Sequence, residues 1–185
     1  MAITFEEFPK IGRLSRGMVI TEKIDGTNGQ IIITEEGEFG IGSRSRLITP
    51  EQDNYGFAKW ALNNKDELMK LGPGRHFGEW WGSGCQRGYG LQKGEKRFSL
   101  FNVGRWTRPE VVLPSCVSLV PVLYQGDFSI QKIEEVMAEL KTTGSKAIPG
   151  FMNPEGVVIF HVATRTLFKK TFEKDDAGKG KDDQG

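Results

Sequence analysis

The chain has 185 residues, room for one domain that buries its own core without disulfide or metal staples. With 25 Lys and Arg against 24 Asp and Glu the net charge is +1, which excludes a broad basic coat for nucleic acid but leaves room for a local basic groove. Apolar runs such as Gly156–Phe160 are too short to span a bilayer, and Met1–Lys10 is acidic and broken by Pro9, unlike a secretory leader.

Met18–Lys23 reads as a strand, followed by turn chemistry at Asp25–Gly29 and a return strand over Gln30–Thr34. After the Glu35–Glu38 turn, Phe39–Ser43 reads as a third strand of a meander. Glu51–Leu71 sets Phe57, Trp60, Ala61, Leu68, Met69 and Leu71 close to a 3.6-residue period, and Gly72-Pro73-Gly74 stops it, so one helix is expected there. A second helix is expected to start near the N-cap Ser129, to carry Ile130, Ile133, Val136, Met137 and Leu140 on one face, and to end at Gly144. Arg75–Trp81, Arg97–Val103, Ser118–Tyr124, Glu155–Val162 and Thr166–Phe172 read as strands. Beyond Phe172 no apolar residue exceeds Ala177 in size, so residues 173–185 are expected to form a disordered charged tail. The expected product is one α+β domain over residues 1–172, antiparallel sheet with helices packed outside. Cys85 and Cys116 lack paired spacing and read as reduced thiols of a cytoplasmic protein. His76 and Glu79 stand at i and i+3, a weak metal pair against a histidine that simply neighbours a strand carboxylate.

Five segments carry residues suited to chemistry, each with a plain alternative. In Glu22-Lys23-Ile24-Asp25-Gly26-Thr27-Asn28, strand alternation aims Lys23 and Asp25 to one side and Ile24 to the core, and Gly26 admits a close neighbour. An amine and a carboxylate facing one groove suit covalent catalysis; the alternative is an ordinary Asp-Gly hairpin with a solvated lysine. In Phe77-Gly78-Glu79-Trp80-Trp81, a half-buried glutamate needs a donor, which a ribose hydroxyl would supply; otherwise Glu79 sits at the edge of a tryptophan core. Phe101, alternating with Phe98, either stacks on a flat base or belongs to the core. Glu155 heads an apolar strand and suits a divalent cation. Lys169 and Lys170, within an apolar strand, suit an anion such as phosphate, or protect a sheet edge.

Taken in order, Lys23-x-Asp25-Gly26, Ser43-Arg44, Phe77-Gly78-Glu79, the Phe-rich strand, Glu155-Gly156-Val157-Val158 and the lysine-bearing strand resemble the covalent nucleotidyltransferase superfamily of polynucleotide ligases and mRNA capping enzymes. Within it the chain is most similar to the ATP-dependent RNA ligases of the nick-sealing type, many of them phage-encoded, and the likeness covers about Thr21–Phe172. The resemblance implies a nucleotidyltransferase fold, ATP-grasp-like, with antiparallel sheets and flanking helices around a nucleotide groove. It implies ATP as substrate, a Mg²⁺ or Mn²⁺ cofactor, and RNA as partner, in nicked duplexes or single-stranded ends. Lys23 would form lysyl-AMP, Glu22 would lie near adenine, and Asp25, Gly26 and Asn28 would shape the nucleotide and metal site. Arg44 would meet the ribose or the incoming 5′-phosphate, Glu79 would hold the ribose hydroxyls, and Phe101 would stack on adenine. Glu155, with Asp25, would act through the metal. Lys169 or Lys170 would bind the α-phosphate; relatives often carry lysines two apart, whereas these are adjacent and face opposite ways, so only one can reach the pocket.

Only 13 residues follow Phe172, too few for the second domain of capping enzymes and DNA ligases, and 22 precede Lys23, too few for the upstream domain of NAD-dependent ligases. The expectation is therefore an RNA ligase, acting as a monomer. The alternatives are a small DNA ligase and a module that binds ATP or a nucleic-acid end without turnover.

Overall fold

The computed structural model describes residues 3–173 and 175. Among them the chain forms strands β1 (Gly17–Lys23), β2 (Thr27–Ile33), β3 (Phe39–Gly42), β4 (Gly74–Gly82), β5 (Lys96–Leu100), β6 (Ser118–Leu119), β7 (Val122–Asp127), β8 (Gly156–His161) and β9 (Thr166–Thr171). Between them lie helices α1 (Phe57–Asn63), α2 (Lys65–Leu68), α3 (Val103–Trp106) and α4 (Ile130–Thr143). The strands make two sheets, one ordered β7-β1-β8-β9 and one ordered β3-β2-β4-β5-β6. Every pairing is antiparallel except β5 with β6. The expected tail, apart from Glu173 and Asp175, lies outside the described residues.

Apolar alternation gives each sheet one helix-covered face. In the four-stranded sheet, Met18, Ile20, Val157 and Ile159 pack on Ile133, Val136, Met137 and Leu140 of α4. This is the face the helical periodicity of 130–140 predicts, except that Ile130, in the first turn, is 62% exposed. Ser129 Oγ accepts from Lys132 N, and Gly144 ends the helix, as the capping residues imply. In the five-stranded sheet, Ile31, Ile33, Trp80, Phe98 and Leu100 pack on Phe57, Ala58, Ala61 and Leu68 of α1 and α2. A third cluster, built from Ile24, Trp81, Tyr89 and Val120, fills the junction between the sheets.

Three sequence expectations change. The helix expected over 51–71 is a 3₁₀ turn at Pro50–Gln52, then α1, α2 and a second 3₁₀ turn at Met69–Leu71. Gly56, at φ +83°, delays the start, and the Asn64 side chain donates back to Trp60 O and breaks the middle. The strand expected over 97–103 stops at Leu100, and Val103 opens α3. The strand expected over 118–124 is cut at Pro121, which has no N–H for a ladder. Its first part pairs with β5 in one sheet and its second with β1 in the other.

Candidate active site

The uncovered faces of the two sheets meet where β1 turns into β2. Lys23 and Asp25 point to this side and Ile24 to the core, as alternation predicts, with Ile24 only 3% exposed. Lys23 Nζ lies 2.5 Å from Glu155 Oε2, joining the last residue of β1 to the residue before β8. The register makes this contact, because Lys23 pairs with Gly156. Gly156 has φ +150°, and a Cβ there would stand 2.2 Å from Lys170 O, so a side chain would push β9 away from β8.

Glu79 is 7% exposed, and both its oxygens are used: Oε1 accepts from Gly26 N and Oε2 from Asn28 Nδ2, each at 3.0 Å. Burial pushes its carboxyl up to about 7; Lys23 and the Gly26 N–H pull it down, Glu155 pushes it further up, and Asn28 pulls it down. Gly26 is required by the same packing, since a Cβ there would meet Trp80 O at 2.3 Å. Lys23, Asp25, Gly26, Asn28, Glu79 and Glu155 are thus brought together.

Asp25 is held from a loop whose contact with it sequence reasoning did not foresee; Arg87 there reads as a candidate cation of a local nucleic-acid groove. Arg87 Nε donates to Asp25 Oδ2 at 3.0 Å, and Asp25 N donates to Tyr89 Oη at 2.9 Å. Arg87 also donates to Asn153 O at 3.3 Å, two residues before Glu155. Gln86 and Tyr89 adopt positive φ in this turn, and four glycines, at 82, 84, 88 and 90, surround them. That glycine density was the signal available.

Glu22 is 1% exposed and points to the face opposite Lys23. Its Oε2 accepts from Lys146 N at 2.7 Å and Ala147 N at 3.1 Å, while Oε1 is buried with no partner among the described residues. Phe101 lies past the end of β5, 39% exposed, its N–H on Phe77 O. Lys169 and Lys170 separate as expected. Lys169 is opposite Val158, which is opposite Thr21, so it shares the face of Lys23. Lys170 is opposite Val157 on the α4 side, with its Nζ 3.2 Å from Glu134 and 3.6 Å from Asp175. Arg44 is exposed and lines a cavity of about 510 Å³ beside β2 and β3. His76 faces the core against Trp106, its Nε2 on Gly72 O, so it does not pair with Glu79.

Among the described residues no three His, Cys, Asp or Glu side chains cluster as a metal site. Mg²⁺ is commonly held by one or two protein carboxylates, with water and substrate phosphate completing the shell. Glu155 and Asp25 both lie at the cleft and suit that pattern by residue type, each now meeting a cation of the chain, Lys23 and Arg87 respectively. Among the described residues no helix is long and apolar enough to cross a membrane.

A model of the RNA ligase family matches residues 16–174. The chain belongs to the RNA ligase family. No curated protein matches it. Its fold is that of solved Naegleria gruberi RNA ligase structures. A mutant of that enzyme with ATP and Mn superposes with TM-score 0.64 at 17% identity, over 86% of this chain and 51% of that one. Another mutant, with AMP and Mn, gives TM-score 0.59 at 19% identity, over 85% and 50%. This RNA ligase family chain spans about half the length of the structures it matches.

Proposed function

We propose that the protein is an ATP-dependent RNA ligase that activates 5′-phosphate ends through lysyl-AMP at Lys23. The observation that carries this is Lys23, 2.5 Å from Glu155, at the meeting of the two uncovered sheet faces and beside the doubly bonded Glu79. The solved Naegleria enzymes with ATP or AMP and Mn support ATP and a divalent cation as ligands here.

A free lysine, pKa about 10.4, is neutral in only about one molecule in a few thousand at pH 7, so attack requires that a proton leave the amine first. As it stands the Glu155 carboxylate holds the charged amine; a divalent cation taking up Glu155 would favour the neutral form, the proton passing to solvent. The neutral Nζ then forms a P–N bond to the α-phosphorus of ATP, and the bond to pyrophosphate breaks. Lys169, on the same face, offsets charge on the α-phosphate. Glu79 and Asn28 hold the ribose side, and Phe101 presents a face to the base. A divalent cation on Glu155 would supply further charge neutralisation at the phosphates. A 5′-phosphate oxygen then takes AMP from Lys23, which regains its proton, and a 3′-hydroxyl displaces AMP to close the strand.

Incubation with ATP labelled in the α-phosphate tests the reading. The protein is expected to become covalently labelled, with the adduct mapped to Lys23 by mass spectrometry and absent from Lys23→Ala. Label on another lysine, or none, would overturn it. A nick-sealing series with RNA or DNA at the 3′-hydroxyl end decides the polymer; equal or faster sealing of all-DNA would make the protein a DNA ligase.

A further inference from the structure

Alternation along β2 and β4 runs the uncovered face of the five-stranded sheet outward from Glu79. Asn28 pairs with Glu79, Gln30 with Phe77, and Ile32 with Arg75. Phe77 is 52% exposed there, a large ring standing in solvent between Glu79 and Arg75. Beyond it opens the cavity of about 510 Å³, whose polar walls are Gln30, Thr34, Arg44, Ser45, Arg46 and Arg75. Glu38 is the acidic residue on its lining. Arg75 Nη1 donates to Gln30 Oε1 at 3.2 Å, and Arg46 Nη1 donates to Gln52 O at 3.3 Å, so two guanidinium groups are steadied by neutral acceptors. Among the described residues none of the three arginines forms an ion pair. From Glu79 to Arg75 is four strand residues, about 13 Å.

Three cations left without carboxylate partners around one cavity suit the phosphates of a polyanion. An exposed aromatic between that cavity and the reacting groups is what a base needs for stacking. We infer that this face is a polynucleotide track, with Phe77 the platform for a base and the Arg44–Arg46–Arg75 cavity the seat of a backbone phosphate. The track rests on the RNA ligase reading and names how that site grips its strand. The other source of the same phosphate chemistry is the pyrophosphate end of ATP. Phe77 favours the polynucleotide, since the ATP base is already assigned to Phe101.

The test uses the full chain and two readouts, labelling by ATP and binding of a 5′-phosphorylated oligoribonucleotide across a salt series. Phe77→Ala is expected to weaken RNA binding by about fivefold or more. Arg75→Gln is expected to flatten the slope of log affinity against log salt by about 0.7 to 0.9. The conservative Phe77→Trp should retain binding. In all three, labelling at saturating ATP and the KM for ATP should stay within about twofold of the parent. Unchanged RNA binding and salt slope would overturn the track. A raised KM for ATP with unchanged RNA binding would also overturn it, and would give the cavity to the triphosphate. Failure of the parent protein to label would instead strike the ligase reading, while the binding series would still judge the track.

Discussion

The inner and outer ends of the cleft are built on opposite plans. At the inner end most charged side chains have a partner: Lys23 has Glu155, Asp25 has Arg87, and Glu79 has Gly26 and Asn28, while Lys169 makes no ion pair among the described residues. At the outer end Arg44, Arg46 and Arg75 surround a cavity with no ion pair among the described residues. Partnered groups hold a geometry before the substrate arrives, which is what bond-making needs. Unpartnered cations hold affinity in reserve, which is what capture of a polyanion needs. The two ends can therefore be damaged separately.

The largest effect should come from the two adjacent lysines of β9. Lys169→Ala should slow labelling by ATP about a hundredfold, the loss typical of one well-placed charge-stabilising group. Lys170→Ala should change the rate by less than about twofold, because its partners are Glu134 and Asp175 on the far face. Equal losses in rapid-quench labelling would show that both lysines serve the cleft.

Next comes the inner clamp. Arg87→Ala leaves Asp25 half-buried without its cation and should lower unfolding free energy by about 2 kcal/mol in urea titrations. Arg87→Lys cannot bridge Asp25 and Asn153 together and should fall between. Unfolding curves that do not move would make Arg87 a surface residue.

A comparable effect should appear on raising the pH. The folded-state pKa of Glu79 lies above its ordinary value of 4.5, at about 7. A raised carboxyl favours the folded chain while protonated, so its contribution is full below about pH 4.5 and is lost as the pH rises through 7. Between about pH 5.5 and 7.5 the parent should lose about 2 kcal/mol of stability that Glu79→Gln does not lose. Parallel melting profiles for the two proteins would contradict the assignment.

The smallest effect belongs to Phe101. Phe101→Leu keeps apolar volume but removes the aromatic face, and should raise the KM for ATP by about 1 kcal/mol in free-energy terms. An unchanged KM would return Phe101 to plain packing.

What could be read beforehand was local. Ser129, Gly144 and the 130–140 stripe define α4 because cap and period lie within a few residues of each other. Lys23, Asp25 and Ile24 sort to their faces because strand alternation needs only neighbours. The Glu79 neighbourhood was half legible: its need for donors followed from burial, but Gly26 and Asn28 reach it from 53 and 51 residues away. The contacts of Arg87 and Tyr89 with Asp25 were illegible for the same reason, the two being 62 and 64 residues from it. Pro121 and Gly56 were visible breakers whose weight was set too low against apolar runs that continued past them. The helix over 51–71 failed because Asn64 competes for the backbone, a local effect that periodicity does not register.

The break at Pro121 has a mechanical consequence. On one side of it Val120 N donates to Leu100 O, and on the other Pro121 O accepts from Glu22 N at 2.9 Å. Two consecutive residues are thereby bonded to different sheets, the second of them to the residue before Lys23 on β1. The two sheets are thus joined through backbone hydrogen bonds of adjacent residues rather than through a free linker. In hydrogen–deuterium exchange, the amides of Glu22 and Val120 should open together and late, with the global unfolding of the protein.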